Sequence, residues 1–237
     1  MKVYDFDIQN GTYCFEFEGL NTEMHSHPVV EIITAIEGTF DININQQTSK
    51  NLVFAIIDSN IKHKISAQHC VSKILMIESN NPTLTEFLKK LNITLTNGYF
   101  LKKEFSDRLI INKEVTDFAR ENNLKVPIDK RIKQCLSIIE NDDIEYATLI
   151  KSLTSKVFLS ESRISHLFKE QIGVSLKKYL VWNNLRKAIH QYLEENKNLT
   201  EISIENGFFD QAHLSNSFKN VLGVAPSKAY NSRTLQF

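Results

Sequence analysis

Two patterns of apolar residues divide the chain. Up to about residue 78, short segments rich in β-branched and aromatic residues alternate with turn formers, and residues 39–44 alternate strictly between apolar and polar. Such segments predict β-strands, and several close together predict an antiparallel sandwich or small barrel. The five predicted strands cover residues 13–17, 29–36, 39–44, 53–57 and 73–77.

Helical spacing replaces this alternation in the rest of the chain. After Pro82, apolar residues recur at intervals of three and four, with Leu84, Leu88 and Leu91 on one side, and a second helix is predicted over residues 107–122. The polar stretch 122–127 is the predicted linker. We therefore expect three parts: residues 1–80 as a barrel, 81–126 as a helical connector with its linker, and 127–237 as an all-α domain.

One structural unit occurs twice in the helical part. Residues 160–174 align with residues 210–224, so that Ser160 corresponds to Asp210 and Phe168 to Phe218. Serine and aspartate are both favoured helix N-caps, and each copy has an apolar side and a polar side. A short amphipathic helix and a turn precede each copy. The pattern predicts helix-turn-helix units at about 145–173 and 199–223, joined by a helix at about 176–194.

The second unit carries the residues of a known family. Together with the first copy and the joining helix, they resemble the DNA-binding domain of the AraC/XylS family of bacterial transcription regulators over residues 129–230. These residues are Glu201-Ile202-Ser203, Gly207-Phe208, Phe218-Lys219, Gly223-Val224 and Pro226-Ser227. The resemblance implies that two recognition helices enter successive major grooves of promoter DNA, about 34 Å apart. Asn184 and Ser203 depart from the arginine and alanine usual in the family.

The resemblance also implies partners. RNA polymerase and a small-molecule effector are expected besides DNA, and helices after the barrel are expected to form a homodimer. Leu84, Leu88 and Leu91 are candidates for that contact, and the alternative is that they pack on their own barrel. The N-terminal domain is expected to sense the effector or to dimerise.

The polar side of each predicted recognition helix supplies groups that bond base edges. Amides bond adenine in bidentate fashion, imidazole donates to guanine, and hydroxyls serve several bases. The base-facing residues are Ser162, Ser165, His166, Gln211, Ala212, Ser215 and Asn216, and the phosphate contacts are Lys156, Arg163, Lys169, Lys177, Lys178 and Lys219. The alternative for any one of them is a solvated helix face. Because no arginine faces the bases, we expect A/T-leaning sites.

Charge changes this picture little. The net charge is zero, but residues 1–126 carry 13 basic and 16 acidic residues, for a net charge of −3, whereas the rest carries +3. The chain has neither a signal-peptide pattern nor an apolar run of membrane-spanning length, so we expect a cytoplasmic protein. Cys14, Cys70 and Cys135 are too scattered for a disulfide framework, and we expect buried thiols.

Three histidines and one glutamate of the N-terminal part form a candidate site. His25, His27, Glu31 and Gly38 follow an HxH-x3-E-x6-G spacing that resembles the first motif of cupin barrels, and His63 lies near the histidine of the second motif. Alternate residues of adjoining strands point the same way, so the three histidines and the glutamate are expected to converge. They either bind a divalent metal or are inert or contact an effector without any cofactor. The second hypothesis is favoured because the usual Pro-x-Gly approach to His63 is missing.

The predicted fold class is α+β, a cupin-like antiparallel β-barrel (jelly roll) followed by an all-α domain with two helix-turn-helix subdomains. The predicted function is a sequence-specific DNA-binding transcription regulator, not an enzyme. A competing hypothesis is a metal-dependent cupin enzyme with a helical appendage, which requires the histidine and glutamate side chains to hold a metal with an open position. A third hypothesis is a transcription regulator that responds to no ligand.

Overall fold

The structure, a computed structural model, describes residues 1–78, 82–90, 92–105, 128–141, 146–195 and 197–229. Contacts divide the chain into two units, Met1–Lys125 with Phe218–Phe237, and Val126–Ser217. The helix predicted over residues 107–122 and the linker predicted at 122–127 lie outside the described residues. The described elements follow the predicted α+β order, with strands first and helices after.

The strands of the N-terminal part form one antiparallel sheet, which confirms the first half of the predicted fold. Its order is β1-β2-β7-β3-β6-β8, and β4 pairs with both β5 and β7. All five predicted strands are present, and three further strands were not predicted, the first, fifth and eighth. The described strands are β1 (Lys2–Asp7), β2 (Thr12–Asn21), β3 (Val29–Glu37), β4 (Phe40–Ile44), β5 (Gln47–Leu52), β6 (Phe54–Ile57), β7 (His63–Glu78) and β8 (Tyr99–Lys102).

Strand β7 holds this sheet together because three strands pair with it. Its first residues pair with β4, and the rest pairs with β2 on one side and β3 on the other. One face of the sheet is covered by helix α1 (Pro82–Lys90), whose buried Leu84 and Phe87 belong to the same apolar cluster as Ile32, Phe54 and Leu75. Leu88 packs on this cluster as well. Of the candidate dimer-contact leucines, Leu84 and Leu88 therefore pack on their own sheet, and Leu91 is outside the described residues.

The C-terminal part is helical, as predicted. The predicted joining helix is α5, and the two helix-turn-helix pairs are α3–α4 and α6–α7. The helices are α2 (Lys130–Asn141), α3 (Tyr146–Val157), α4 (Glu161–Ile172), α5 (Leu176–Glu194), α6 (Leu199–Glu205), α7 (Gln211–Leu222) and α8 (Pro226–Ala229). Helix α8 was not predicted.

Both predicted N-caps are confirmed. The Ser160 hydroxyl accepts a hydrogen bond from the Arg163 backbone N–H at 3.3 Å, and the Asp210 carboxylate accepts one from the His213 N–H at 2.7 Å. Each bond satisfies a backbone donor that has no partner within the helix, and such a cap contributes about 1 kcal/mol. The two recognition helices therefore begin where the sequence repeat predicts.

The first helix-turn-helix unit has a continuous apolar core. Phe168 is fully buried in it, with its ring 5.3 Å from that of Tyr179 in an edge-to-face arrangement. Residues from α2, α3 and α5 complete the cluster, among them Ile132, Leu153 and Leu176. Trp182 is also buried, as expected of a core residue, and the three cysteines are free and buried.

Gly207 reverses the chain between α6 and α7 in a left-handed conformation, φ +75°. A Cβ atom there would lie 2.9 Å from the Asn184 amide nitrogen. Because this conformation costs other L-residues about 1–2 kcal/mol, we expect Gly207→Ala to lower the free energy of unfolding by that amount in urea titrations. The control is Phe158, which has φ +55° in the turn of the first helix-turn-helix unit. Because glycine adopts this left-handed conformation without strain, Phe158→Gly should not destabilise the protein. Equal stability of Gly207→Ala and the unmodified chain would contradict the expectation.

Candidate DNA interface and buried histidine cluster

Helix α4 presents its predicted base-facing residues on the surface. Ser162 and His166 are exposed and Ser165 is half-buried, while the apolar residues on the other side of the helix are buried. His166 Nδ1 lies 3.8 Å from Glu170 Oε2, one turn further along. This carboxylate competes with a guanine acceptor for a proton of the imidazole. The helix thus has the polar outer face and apolar underside that insertion into a groove requires.

Helix α7 repeats this arrangement. Gln211, Ala212 and Asn216 are exposed and Ser215 is half-buried. The Gln211 side-chain oxygen accepts a hydrogen bond from the Thr200 hydroxyl at 3.1 Å, which orients the amide. An amide oxygen has two lone pairs, so one acceptor position remains for an adenine amino group.

The predicted phosphate-contacting residues lie near helix ends. Lys156 is in the last turn of α3, Lys169 in the last turn of α4 and Lys219 in the last turn of α7. Lys177 and Lys178 are in the first turn of α5, and Arg163 is exposed near the start of α4. Three of these basic groups therefore lie at the C-terminal ends of their helices.

Sequence analysis missed a buried polar group on α5. The Arg186 side chain is almost fully buried, and its guanidinium donates to the Asn183 side-chain oxygen at 2.8 and 3.2 Å. The same guanidinium lies 5.9 Å from the centre of the Tyr179 ring and 3.9 Å from Glu140 of α2. The sequence signal that indicates the contact with Asn183 is an asparagine and an arginine three residues apart on a predicted helix. The contact with Glu140 joins α5 to α2.

The two departures from the family pattern have structural roles. Ser203 is fully buried, and its hydroxyl donates to the Leu199 backbone oxygen one turn earlier at 2.5 Å. This bond satisfies a hydroxyl that would otherwise be buried without a partner. The Asn184 amide lies beside Gly207 in the second turn.

Three chain segments bring the four N-terminal candidate residues together. His25 and His27 lie between β2 and β3, Glu31 lies in β3, and His63 begins β7. An antiparallel bridge joins the segments, because the His25 N–H donates to the His63 oxygen at 2.9 Å and the His63 N–H donates back at 3.0 Å. None of the four residues is more than 4% exposed, and one potential ligand atom from each lies within 4.8 Å of the others. We call these four residues the histidine cluster.

Backbone carbonyls fix the orientation of all three imidazoles. The Nδ1 atoms of His25, His27 and His63 each lie 2.9 Å from a backbone oxygen two residues away, on Glu23, Val29 and Ile61. A carbonyl oxygen only accepts hydrogen bonds, so this network assigns the proton to Nδ1 in each ring. Nε2 of His27 lies 3.4 Å from Glu31 Oε2, and Nε2 of His63 lies 3.0 Å from the same oxygen.

The cluster shifts the charge state of its members. Burial would raise the pKa of Glu31, but the neighbouring His27 and His63 imidazoles outweigh it and hold the pKa well below the usual range. Burial, together with repulsion from the two other imidazoles, lowers the pKa of His25 to about 3. Burial opposes protonation of His63 too, yet the Glu31 carboxylate raises its pKa. At neutral pH the cluster therefore contains a carboxylate and at least one neutral imidazole.

Comparisons with known proteins agree with the helix-turn-helix geometry. Residues 153–232 match the family model of a helix-turn-helix domain. The probable transcriptional regulator LumQ of Photobacterium leiognathi is 22% identical over 248 residues, which cover 94% of this chain and 97% of LumQ. The arabinose operon regulatory protein of Escherichia coli K12 is 28% identical over 110 residues, which cover 46% of this chain and 38% of that protein. The chain carries a helix-turn-helix domain of the AraC type.

Solved structures with a strand-rich N-terminal part and a helical C-terminal part are also similar to this chain. An apo variant of ToxT from Vibrio cholerae superposes with a TM-score of 0.60 at 13% identity, covering 94% of this chain and 98% of ToxT. At that identity the likeness shows the fold alone. These comparisons name transcription regulators and give no support to the hypothesis of a cupin enzyme. Among the described residues, no helix combines the length and apolar character that crossing a membrane requires.

Proposed function

We propose that this AraC-type regulator recognises a specific promoter sequence by placing α4 and α7 in successive major grooves. The observation that carries the proposal is the repetition of one surface. Each helix begins at a side-chain cap, has hydroxyl, imidazole or amide groups on its exposed side, and buries leucine and phenylalanine on the other. Two such helices read two segments about one helical turn apart, on one side of the duplex.

We assign different tasks to the two sets of polar residues. Ser162, Ser165, His166, Gln211, Ala212, Ser215 and Asn216 are proposed to face bases, because hydroxyl, amide and imidazole groups form direct hydrogen bonds to base edges and a small apolar side chain contacts the thymine methyl. The five lysines and Arg163 named above are proposed to contact phosphates, which position the protein without reading sequence. Without arginine at a base-facing position, the commonest guanine contact is missing. The sites should therefore lean towards A·T pairs.

The N-terminal part is proposed to regulate DNA binding. In this proposal residues 1–80 are the sensor, 81–126 the connector and 127–237 the DNA-binding domain. An effector shifts the equilibrium between DNA-competent and incompetent domain arrangements only if it contacts the two arrangements differently. ToxT has been solved with an unsaturated fatty acid bound. The first 80 residues of this chain contain no arginine, so they lack a bidentate clamp for a carboxylate or phosphate. A neutral or apolar organic effector fits that composition better than an anion.

A homodimer and contact with RNA polymerase are further parts of the proposal. Dimerisation would double the number of DNA contacts and compensate for the missing guanine-reading arginines. Leu84 and Leu88 are buried against the sheet of their own chain, so the exposed side of α1 or another surface must form the contact. Sedimentation equilibrium of the full chain measures the stoichiometry directly.

The main test is a titration of the full chain against a fluorescent duplex of its own upstream region at two salt concentrations. Six phosphate contacts give a slope of about −5 in log association constant against log salt. Replacing Lys177 and Lys178 by glutamine should reduce the magnitude of this slope by about two. The control replaces two exposed sheet lysines, Lys50 and Lys64, in the same way and should leave the slope unchanged.

Unrelated duplex as competitor separates specific from general binding. A sequence-specific regulator stays bound to its labelled duplex in the presence of excess competitor. The reason is that its contacts to bases add binding free energy to that of the phosphate contacts. Equal displacement by the unrelated duplex would contradict sequence recognition by α4 and α7. An unchanged slope in the Lys177 and Lys178 variant would contradict the phosphate assignment alone.

A further inference from the structure

We propose that the histidine cluster binds one divalent first-row transition metal ion. His25, His27, Glu31 and His63 supply three imidazole nitrogens and one carboxylate, all from the N-terminal part. The inference is independent of the DNA interface, because none of the four residues belongs to the helix-turn-helix units. It specifies an ion as the occupant of a site that sequence analysis left open between a metal, an effector and no ligand.

The hydrogen bonds of the three imidazoles leave the same ring nitrogen of each as a donor. Each histidine commits its Nδ1 proton to a backbone oxygen, on Glu23, Val29 or Ile61, so Nε2 is left as the ligand atom. Metal-binding histidines share this arrangement, in which a carbonyl or carboxylate holds the far nitrogen and orients the ring. Three rings held in the same way by three separate carbonyls form a site whose orientation precedes binding.

One buried donor atom of the histidine cluster has no hydrogen bond. His63 is fully buried, and its Nε2 has no hydrogen-bond partner among the described residues, even though Glu31 Oε2 lies 3.0 Å away. The contact has the separation of an ion pair but lacks the direction of a hydrogen bond. Burying a polar atom without a partner is costly, and such atoms mark places where a ligand is missing. A cation between Nε2 and the carboxylate satisfies both atoms.

The separations within the histidine cluster match the size of one metal ion. A tetrahedral ion with bonds of about 2.1 Å places its donors about 3.4 Å apart, and an octahedral ion places neighbouring donors about 3.0 Å and opposite donors about 4.2 Å apart. The Glu31 oxygen lies 3.4 Å from one imidazole nitrogen and 3.0 Å from another, and one potential ligand atom from each of the four residues lies within 4.8 Å of the others. The ring centres are 4.2 to 5.5 Å from one another. The space between them fits a single ion after a slight contraction and excludes an organic molecule.

The donor set selects the class of ion. Imidazole nitrogens suit zinc, iron, nickel and copper, whereas Ca²⁺ takes six to eight oxygen ligands and Mg²⁺ keeps several waters. One carboxylate and neutral imidazoles leave a net charge of about +1 after a divalent ion binds, which a buried site tolerates better than +2. Zn²⁺ and Co²⁺ are suitable probes, since Co²⁺ occupies the same kinds of site and absorbs visible light.

The experiment uses the full-length protein, stripped with EDTA and dialysed. Co²⁺ should produce a visible absorption band that saturates at about one ion per chain, Zn²⁺ should displace it, and excess Mg²⁺ should not. Zn²⁺ should also raise the melting temperature, because an ion that binds only the folded chain stabilises it. The absence of a saturable band together with an unchanged melting temperature would overturn the proposal. This assay contains no DNA, so its failure would leave the proposed DNA interface untouched.

Variants then locate the ion. Glu31→Gln and His27→Gln should each weaken Co²⁺ binding at least about 100-fold, since even the residues that merely orient metal ligands contribute 10- to 100-fold. His69→Gln, an exposed histidine on the same strand as His63, is the matched control and should bind as tightly as the unmodified chain. Unaltered binding by Glu31→Gln, or loss of binding in His69→Gln, would contradict the assignment.

A measurement on the unmodified chain covers the case in which the variants fail to fold. X-ray absorption at the zinc edge of the Zn²⁺-loaded protein should show nitrogen and oxygen neighbours at about 2.0–2.1 Å with the multiple scattering of imidazole rings. A spectrum with sulfur neighbours, or with no imidazole contribution, would overturn the proposed ligand set.

Discussion

Replacing Phe168 by alanine should lower the free energy of unfolding of the helical unit by about 3–5 kcal/mol. The Phe168 ring is fully buried and meets Tyr179 edge-to-face at 5.3 Å. It belongs to a cluster to which α2, α3, α4 and α5 all contribute, so no single helix can move to fill the space. The destabilisation then combines the apolar transfer free energy with the cost of a residual cavity. Urea unfolding followed by helical circular dichroism measures it.

Phe158 is the matched control for this variant. It lies ten residues earlier in the same helix-turn-helix unit, but 90% of it is exposed. Phe158→Ala deletes the same ring atoms, but from a solvent-exposed position instead of from the core. It should therefore change the free energy of unfolding by no more than about 0.5 kcal/mol. Equal destabilisation in the two variants, or an unchanged unfolding midpoint in Phe168→Ala, would contradict the assignment of Phe168 to the core.

The strands that were predicted have strong local patterns, and those that were missed do not. Strand β5 (Gln47–Leu52) buries only Leu52, because it pairs with β4 alone and lies at the side of the sheet. Its existence depends on the turn at Asn45 and Gln46, both with positive φ, which returns the chain beside β4. Strand β8 (Tyr99–Lys102) pairs with β6, more than forty residues earlier. Pairing over that distance leaves no local periodicity.

The internal repeat predicted the recognition helices to within a residue, but the turns of the two units differ in length. Aligning Ser160 with Asp210 places Phe158 opposite Phe208. The left-handed backbone conformation, however, occurs at Phe158 in the first unit and at Gly207 in the second. One residue lies between Phe158 and the Ser160 cap, whereas two residues lie between Gly207 and the Asp210 cap. Caps and apolar stripes are local signals, whereas the turn depends on how each helix pair packs.

The two candidate sites differ in what the sequence could provide. The resemblance to the cupin motifs identified all four members of the histidine cluster, and the alternation of side chains along adjoining strands predicted that they converge. It could not provide the carbonyls that hold the imidazoles, since their position depends on the loop backbone around Glu23 and Ile61. Arg186 was missed for a similar reason. A charged helical residue is expected at the surface, and its burial follows from Glu140 and Tyr179 being close to it in the fold.

Replacing Gln211 and Asn216 together by alanine should relax base preference at two positions of the operator, by about 1–3 kcal/mol for each amide that pairs with adenine in bidentate fashion. Both side chains are exposed on α7, so thermal unfolding should stay unchanged. Binding to a panel of duplexes with single base-pair changes measures the effect, and Gln68→Ala, which removes an exposed amide from β7, is the control.

The pattern of weakened binding across the panel decides what these amides do. If Gln211 and Asn216 read bases, the variant binds the original duplex more weakly, binds duplexes already altered at the two positions almost as before, and keeps its salt slope. Uniformly weaker binding to every duplex with a shallower salt slope would assign the amides to phosphates instead. Retention of the full base preference would exclude both roles. Recognition would then rest on α4, whose hydroxyls and His166 discriminate bases less sharply than bidentate amides do.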